Sequence, residues 1–119
     1  MNKLRICVCG GRDYENGDHV NRILDGLLKQ YNDFILVEGG ANGADTLARR
    51  WAQNRNVQYE TYMANWEQDG RSAGPIRNQR MLDTGLDMVV AFPGGKGTNH
   101  MVTISQAKHV PVIDLRTLC

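Results

Sequence analysis

The sequence predicts an α/β fold in which helices cover both faces of a mostly parallel, five-stranded sheet. Short apolar segments alternate with helical patterns along the whole chain, as is typical of parallel strands joined by helical crossovers. Three of the apolar segments end in glycine-rich turns, and no repeat or low-complexity stretch interrupts this order. With 119 residues the chain is long enough for one such domain and too short for two, so residues 1–119 are predicted to form a single domain.

The first half of the chain contains three predicted strands and two predicted helices. Its apolar segments have the length and β-branched content of strands, and its helices place their apolar side chains on one face. Trp51 belongs to such a face and is predicted to lie in the core. In chain order, the predicted elements are strand 4–9, helix 18–31, strand 34–37, a helix that begins at Ala44, and strand 57–63.

The second half begins with a polar loop around a single tryptophan, residues 64–74, and long loops of this kind are often functional. Pro75 suits the first turn of the helix that follows, and Gly85 ends that helix. The remaining predicted elements are strand 88–92, helix 98–109 and strand 110–115. Because parallel strands need right-handed crossovers, the elements together predict a Rossmann-like three-layer sandwich.

The glycine-rich turn after the fourth strand, residues 93–98 with the sequence PGGKGT, is the strongest indication of a binding site. Gly94, Gly95 and Gly97 lack a Cβ, so they permit positive φ angles and the close approach of a ligand. Thr98 is predicted to cap the next helix, whose free N–H groups and dipole favour phosphate or another anion. The alternative interpretation is a tight strand-to-helix turn that binds nothing.

Two more glycine turns, residues 10–14 and 38–45, follow the first and second strands. In open parallel sheets the carboxyl ends of the strands share one edge, and ligands bind there where the strand order reverses. The three turns are therefore expected to converge on a single crevice.

Charge and hydropathy argue against several classes of function. The 14 Lys and Arg residues nearly balance the 13 Asp and Glu residues, so no overall field favours nucleic acid or a membrane as partner. No apolar run reaches the ~20 residues of a membrane span, and the N-terminal segment lacks the apolar region of a signal peptide. The sequence therefore predicts a cytoplasmic protein.

Cysteine and histidine positions give no indication of a metal site. Cys7 and Cys9 share one face of the first strand and are expected to be buried and reduced, and Cys119 is left over. The three histidines, His19, His100 and His109, lack zinc-ligand spacing. They are interpreted as surface or helix-end residues.

Four segments together resemble the SLOG superfamily, the Rossmann-like group that contains the LOG cytokinin-activating hydrolases and the DprA DNA-processing proteins. The segments are GGRDY, EGGANGADTLARRWA, W…GRSAGPIRNQRM and AFPGGKGT, and they span nearly the whole chain. The resemblance is strongest to the small YspA-related branch. It implies a nucleotide-binding domain whose nucleotide or nucleotide-derived ligand places its phosphate on residues 94–98, and it also implies a homodimer.

LOG enzymes hydrolyse the N-glycosidic bond of a nucleoside monophosphate with an arginine from the third helix and a glutamate three residues after a Gly-Thr pair. The resemblance makes Arg77 the counterpart of that arginine, but Met101 stands at the glutamate position. A thioether cannot stabilise an oxocarbenium-like centre or activate water as a carboxylate does. The sequence therefore favours a module that senses or sequesters its ligand. The alternative is a nucleotide hydrolase in which Glu38, Asp45 or Asp69 replaces the missing acid.

A third hypothesis is a DprA-like binder of single-stranded DNA, which the GGANGAD segment suggests. Proteins that bind single strands without sequence preference combine a positively charged groove with aromatic side chains. The near-zero net charge and the lack of a basic stripe weaken this hypothesis. Nucleic acid is therefore not the expected partner.

The candidate binding residues lie on the three glycine turns and on the third helix. They are Gly10, Gly11, Arg12, Gly39, Gly40, Gly43, Asp45, Arg77, Asn78, Pro93, Gly94, Gly95, Lys96, Gly97 and Thr98. If the protein is an enzyme, the candidate catalytic residues are Arg77, Glu38 and Asp45. No cofactor is predicted, although a divalent cation could accompany the ligand phosphate.

Several candidates also have a structural interpretation. Arg12 could clamp a phosphate or cover the sheet edge, and Asn78 could donate to the ligand or cap the preceding loop. Glu38 could accept a hydrogen bond from a ribose hydroxyl or cap backbone N–H groups. Trp66 and Tyr14 are candidates for stacking on a base or for packing.

Overall fold

The computed structural model describes residues 3–117, so the prediction for Cys119 lies outside the described residues. The strands are β1 (Leu4–Cys9), β2 (Phe34–Glu38), β3 (Tyr59–Thr61), β4 (Met88–Ala91) and β5 (Val112–Asp114). They form one sheet in the order β3-β2-β1-β4-β5, with every neighbouring pair parallel, which confirms the predicted α/β class. The edge strands β3 and β5 are shorter than predicted, since each has a neighbour on only one side.

Within residues 3–117, five α-helices connect the strands: α1 (Gly17–Tyr31), α2 (Ala44–Asn54), α3 (Trp66–Asp69), α4 (Ala73–Asp83) and α5 (Lys96–Ala107). The predicted polar loop contains α3 and a 3-10 turn, Gly70–Ser72. Asn65 starts α3, because its side chain accepts a hydrogen bond from the Gln68 amide. None of the helices in this part of the chain is long and apolar enough to cross a membrane.

The alternation of side chains along β1 divides the core into two layers. Ile6 and Val8 pack in the layer of α1 and α2, which also contains the buried Trp51. Cys7 and Cys9 face the layer of α4 and α5. Both are free thiols, and burial raises the pKa of Cys9 to about 12. Both thiols are buried, as predicted, and a thiol whose pKa is raised by burial is a poor nucleophile at neutral pH.

The strand order reverses between β1 and β4. After β1 the chain adds β2 and β3 on one side, and then returns through α4 to place β4 and β5 on the other. The turns after β1 and β4 are therefore neighbours, and the Gly11 amide donates a 2.8 Å hydrogen bond to the Pro93 carbonyl. Open parallel sheets bind their ligands at such a reversal.

Candidate functional site

A cavity of about 640 Å³ opens at the carboxyl ends of β1 and β4. Its walls come from the turn after β1, the first turn of α2, the segment from α3 to α4, and the first turns of α5. A smaller cavity of about 200 Å³ adjoins it, and the two share Arg12, Ala41, Trp66 and Arg77. We refer to the two cavities together as the crevice. The volume of the larger one is typical of small-molecule sites.

Three glycines of the predicted turns allow the turns to pack against one another. A Cβ at Gly10 would lie 2.6 Å from Ala44 Cβ, and one at Gly94 would lie 2.6 Å from the Gly11 amide nitrogen. Gly43 has a φ of 74°, and a Cβ there would overlap the carbonyl of Gly11. The Ala44 amide also donates to the Gly11 carbonyl over 3.2 Å. These contacts bring the starts of α2 and α5 to the turn after β1.

Two other glycines, Gly95 and Gly97, line the larger cavity, and an added Cβ at either would have no protein atom within 4 Å among the described residues. Gly95 is the N-cap of α5, has a φ of −106° and makes no side-chain capping bond. The predicted cap, Thr98, is instead the third residue of α5 and is buried against Gly94. The prediction that Thr98 caps the helix is therefore wrong, because the helix extends into the glycine run.

The glycines of the turn 93–98 permit positive φ angles, but none of them adopts one. Among the described glycines, only Gly40, Gly43, Gly70 and Gly85 have positive φ angles. The turn instead needs glycine for space, at Gly94 against its neighbouring turn.

Basic side chains concentrate on the larger cavity. Arg12, Arg71, Arg77 and Lys96 line it, whereas Asp45 is the one acidic residue that lines it within residues 3–117. Four cations against one carboxyl make the cavity cationic in a chain whose formal net charge is only +1. Such a lining favours an anionic ligand.

Trp66 lies at the junction of the two cavities and is 49% exposed. The guanidinium carbon of Arg12 lies 5.1 Å from the centroid of its ring, which is a cation–π contact. Arg12 therefore faces the crevice and does not merely cover the sheet edge. A large aromatic surface thus remains accessible next to a cation.

Arg77, on α4, lines both cavities. One guanidinium nitrogen donates to the Gly39 carbonyl over 2.5 Å, and its Nε donates to Asn78 Oδ1 over 2.9 Å. The guanidinium would overlap any Cβ at Gly39, so that glycine is needed for the arginine to lie here. Arg77 is held in place by the loop after β2 before any ligand binds.

Asn78 lines the larger cavity but is only 3% exposed. Its Nδ2 donates to the Gly97 carbonyl over 3.1 Å and also lies 3.1 Å from His100 Nδ1. Both N–H groups of the amide are therefore engaged by α5. His100 itself lines the cavity, although its position in the sequence gave no indication of a site. The spacing of four residues between Lys96 and His100 places both side chains on one face of α5, and it is the feature of the sequence that could have pointed to His100.

Asp45 is the second residue of α2 and is 6% exposed. Burial raises the pKa of its carboxyl to about 7, and the nearby Glu38 acts in the same direction. The Ala41 amide, which donates to Asp45 over 3.2 Å, and the Arg77 charge oppose this increase. A cavity-lining carboxyl with a pKa near neutrality can both hold and release a proton at physiological pH.

Glu38 and Tyr14 have structural roles: Glu38 caps backbone and side-chain donors, and Tyr14 packs against a neighbouring ring. Glu38 is fully buried, and its two oxygens accept hydrogen bonds from the Gly40 amide, over 2.7 Å, and from the Thr61 hydroxyl. The Tyr14 ring packs on Phe92 at 5.5 Å, and its hydroxyl lies 3.0 Å from His19 Nδ1. Neither residue lines the crevice. The structure does not support the predicted catalytic role of Glu38 or the predicted base stacking by Tyr14, because contacts within the protein engage both side chains.

The other predicted residues divide between the two cavities and the packing of the turns. Gly10 and Gly11 line the larger cavity, and Gly39 and Gly40 line the smaller one. Met101 is fully buried in the α4–α5 layer and lines neither cavity. Within residues 3–117, no three His, Cys, Asp or Glu side chains are placed to hold a metal ion.

The fold and the crevice define a Rossmann-like α/β domain with basic side chains and glycine turns at the switch point of its sheet. The chain belongs to the YspA, cpYpsA-related SLOG family, whose sequence profile matches residues 4–68. This result confirms the relationship predicted from the four sequence segments. The gene 61 protein of Mycobacterium phage D29 is 36% identical over 118 residues, and the match covers 92% of this chain and 94% of that protein.

Solved structures share the fold at low sequence identity. DNA processing protein A from Streptococcus pneumoniae has a TM-score of 0.77 at 15% identity over 92% of this chain, which spans only 49% of the DprA chain. The structural genomics target TM1055 has a TM-score of 0.69 at 16% identity, covering 92% of this chain and 72% of that one. The Moco carrier protein from Chlamydomonas reinhardtii has a TM-score of 0.66 at 18% identity, covering 97% and 77%.

Proposed function

We propose that this domain binds a nucleotide or nucleotide-derived ligand as a sensor or sequestering module, with the ligand phosphate on residues 93–98 at the start of α5. The observation that carries the proposal is the coincidence of an uncapped helix N-terminus with a cavity lined by four cations. Helix N-termini bind phosphate through free amides and the helix dipole. The family membership supports the same class of ligand.

The first turn of α5 supplies the phosphate subsite. Its first hydrogen bond runs from the Asn99 amide to the Gly95 carbonyl, so the amides of Lys96, Gly97 and Thr98 have no acceptor within the helix. The absence of a Cβ at Gly95 and Gly97 lets an oxygen approach these amides closely. The Lys96 ammonium would balance the phosphate charge.

The base or another planar group of the ligand would lie against Trp66. Its ring is half exposed at the junction of the two cavities and already holds the Arg12 guanidinium on one face. Stacking on an aromatic ring contributes ~1–3 kcal/mol per base. Arg77 lines both cavities and could therefore contact a second anionic group. A divalent ion in this site would be held chiefly by the ligand phosphate.

Thermal-shift measurements with AMP, ADP, cyclic nucleotides, ADP-ribose and NAD test this proposal, followed by chromatography of each hit after overnight incubation. A nucleotide at a hundred times its dissociation constant adds about 2.7 kcal/mol to the free energy of unfolding. We expect stabilisation and recovery of the nucleotide intact. The absence of a shift with every compound would contradict the proposal.

Substitution of Gly95 separates binding from folding. In Gly95→Asp the carboxylate caps α5 and occupies the phosphate position, so the free protein keeps its stability while nucleotide binding is lost. Gly95→Asn is the matched control, because it provides a similar cap without the charge and is expected to weaken binding less. Equal binding by wild type and Gly95→Asp would place the phosphate elsewhere.

A second candidate function, hydrolysis of an N-glycosidic bond, is favoured by one observation. Asp45 lines the cavity, and burial raises the pKa of its carboxyl to about 7, a value suited to a general acid that protonates a leaving base. In this case incubation produces a free base and a sugar phosphate. Asp45→Asn would then abolish product formation while the protein still binds the nucleotide. Product formed equally well by Asp45→Asn would exclude Asp45 as the acid.

A further inference from the structure

The side chain of Asn78 has a chemically fixed orientation. Arg77 Nε is a donor only, so the atom that faces it at 2.9 Å must be the acceptor Oδ1. The opposite orientation would place the amide nitrogen against that donor and Oδ1 against the Gly97 carbonyl. Two repulsive contacts would replace two hydrogen bonds. The amide nitrogen of Asn78 therefore faces α5.

This orientation determines the tautomer of His100. One N–H of Asn78 is directed to the Gly97 carbonyl, and the other reaches His100 Nδ1 over 3.1 Å. An amide nitrogen cannot accept a hydrogen bond, so Nδ1 must be the acceptor. The neutral imidazole consequently carries its proton on Nε2.

The Nε2–H group of His100 is left available to the cavity. His100 lines the larger cavity, and no atom of residues 3–117 forms a hydrogen bond with Nε2. Side chains of a helix lean toward its N-terminus, so a residue four positions after Lys96 lies over the first turn of α5. The proposed phosphate subsite occupies that turn.

We propose that His100 donates its Nε2–H to the ligand anion bound at the start of α5, and that Arg77 and Asn78 are positioning residues that fix its tautomer. The inference rests on the proposed function and refines it. Asn78, which the sequence suggested as a direct ligand donor, acts through His100 because α5 engages both of its N–H groups. The site thus adds an oriented side-chain N–H donor to the backbone amides.

Nitrogen-15 NMR of histidine-labelled protein tests the positioning part before any ligand is added. We expect His100 to show a protonated Nε2 and an unprotonated Nδ1 in the wild type, with the signal assigned from its loss in His100→Gln. In Asn78→Asp the facing atoms become acceptors, so the His100 proton is expected on Nδ1. A His100 tautomer that is already protonated on Nδ1 in the wild type, or unchanged in Asn78→Asp, overturns the positioning role.

Titration with AMP, ADP-ribose and inorganic pyrophosphate tests the contact with the ligand. We expect at least one probe to shift the His100 Nε2 signal together with the Gly97 amide, and His100→Ala to weaken its binding about tenfold or more, as the loss of a hydrogen bond to a charged group does. His100→Gln, whose amide can replace Nε2–H, should recover much of the affinity. His109→Gln is the control and should bind like the wild type.

The outcomes separate this inference from the function on which it rests. A probe that shifts the Gly97 amide but leaves both His100 Nε2 and the affinity of His100→Ala unchanged overturns the role of His100 and leaves nucleotide binding in place. If none of these probes and no nucleotide of the thermal-shift panel binds, both proposals fail. The tautomer measured in the free protein then still reports on the contact between Asn78 and His100.

Discussion

The glycines around the crevice fall into two groups that differ in what they contact. A Cβ at Gly10, Gly43 or Gly94 would lie within 3.0 Å of atoms in a neighbouring turn. A Cβ at Gly95 or Gly97 would meet nothing within 4 Å among the described residues, and both of these glycines line the larger cavity. We call the first group the packed glycines and the second the open glycines. The fold requires the packed glycines, whereas no protein contact among the described residues requires the open ones, and the proposed ligand is a reason for these two to lack a side chain.

The helix N-termini show the same division. Asn16 and Asn65 cap α1 and α3 through their side chains, but α2 and α5 begin after glycines that make no side-chain capping bond. The first amide of α2 donates to the Gly11 carbonyl, so part of that N-terminus is used by the fold. Of the helices α1, α2, α3 and α5, only α5 has an N-terminus that remains open to the crevice.

The largest expected effect is that of Gly43→Ala, which places a side chain on a packed glycine with a φ of 74°. Overlap with the turn after β1 and the strained backbone together should lower the free energy of unfolding by about 3 kcal/mol or more. Urea denaturation measures this loss. Gly85→Ala is the matched control, because Gly85 has a φ of 89° but open space around its Cβ. It should cost only about 1–2 kcal/mol, and an equal cost for both variants would show that packing at Gly43 contributes nothing.

The next effect concerns Asp45, the carboxyl that the crevice buries. Its pKa rises from 3.8 to about 7 in the folded protein, so the folded state binds the proton more tightly between these values. The stabilisation that this provides is complete below about pH 4 and is lost as the pH rises to about 7, by a few kcal/mol. Asp45→Asn should remove this part of the pH dependence and be more stable than the wild type at pH 8. Urea denaturation across this pH range would contradict the argument if the two proteins gave parallel curves.

Local periodicity was sufficient to predict most of the fold. Apolar segments of strand length and helices of period 3.6 indicated the order of elements, and the alternation of side chains along a strand placed Cys7 and Cys9 on one face. The short helix α3 could not be predicted in this way, because four residues are too few to show a helical period. Its start depends on a single Asn65 cap.

The site could be predicted where it depends on the backbone and not where it depends on contacts between distant segments. The glycine turns and Arg77 followed from motifs, and they do line the crevice. The contact between His100 and Asn78 joins residues that are 22 positions apart and lie on different helices, and no spacing rule predicts it from the sequence. Glu38 and Tyr14 looked suited to a ligand, but Thr61 and Phe92 from other elements engage them.

The smallest expected effect on stability is that of Gly97→Ala. This substitution also tests most directly whether the packed and the open glycines have different roles. Gly97 is the second residue of α5, and alanine is favoured over glycine in a helix by about 0.5–1 kcal/mol, so the free protein should become slightly more stable. The added methyl group lies in the cavity where a phosphate oxygen would approach the Gly97 amide, so nucleotide binding should weaken. Thermal unfolding with and without nucleotide measures both effects.

Gly26→Ala on α1 is the matched control for this last substitution, since Gly26 is also helical, has open space around its Cβ and lies outside the crevice. It should give a similar gain in stability and leave nucleotide binding unchanged. If Gly97→Ala behaves in the same way, the open glycines are not where the ligand approaches, and the division between the two groups reflects packing alone. A gain in stability with a loss of binding, found at Gly97 and not at Gly26, would instead assign the open glycines to the ligand.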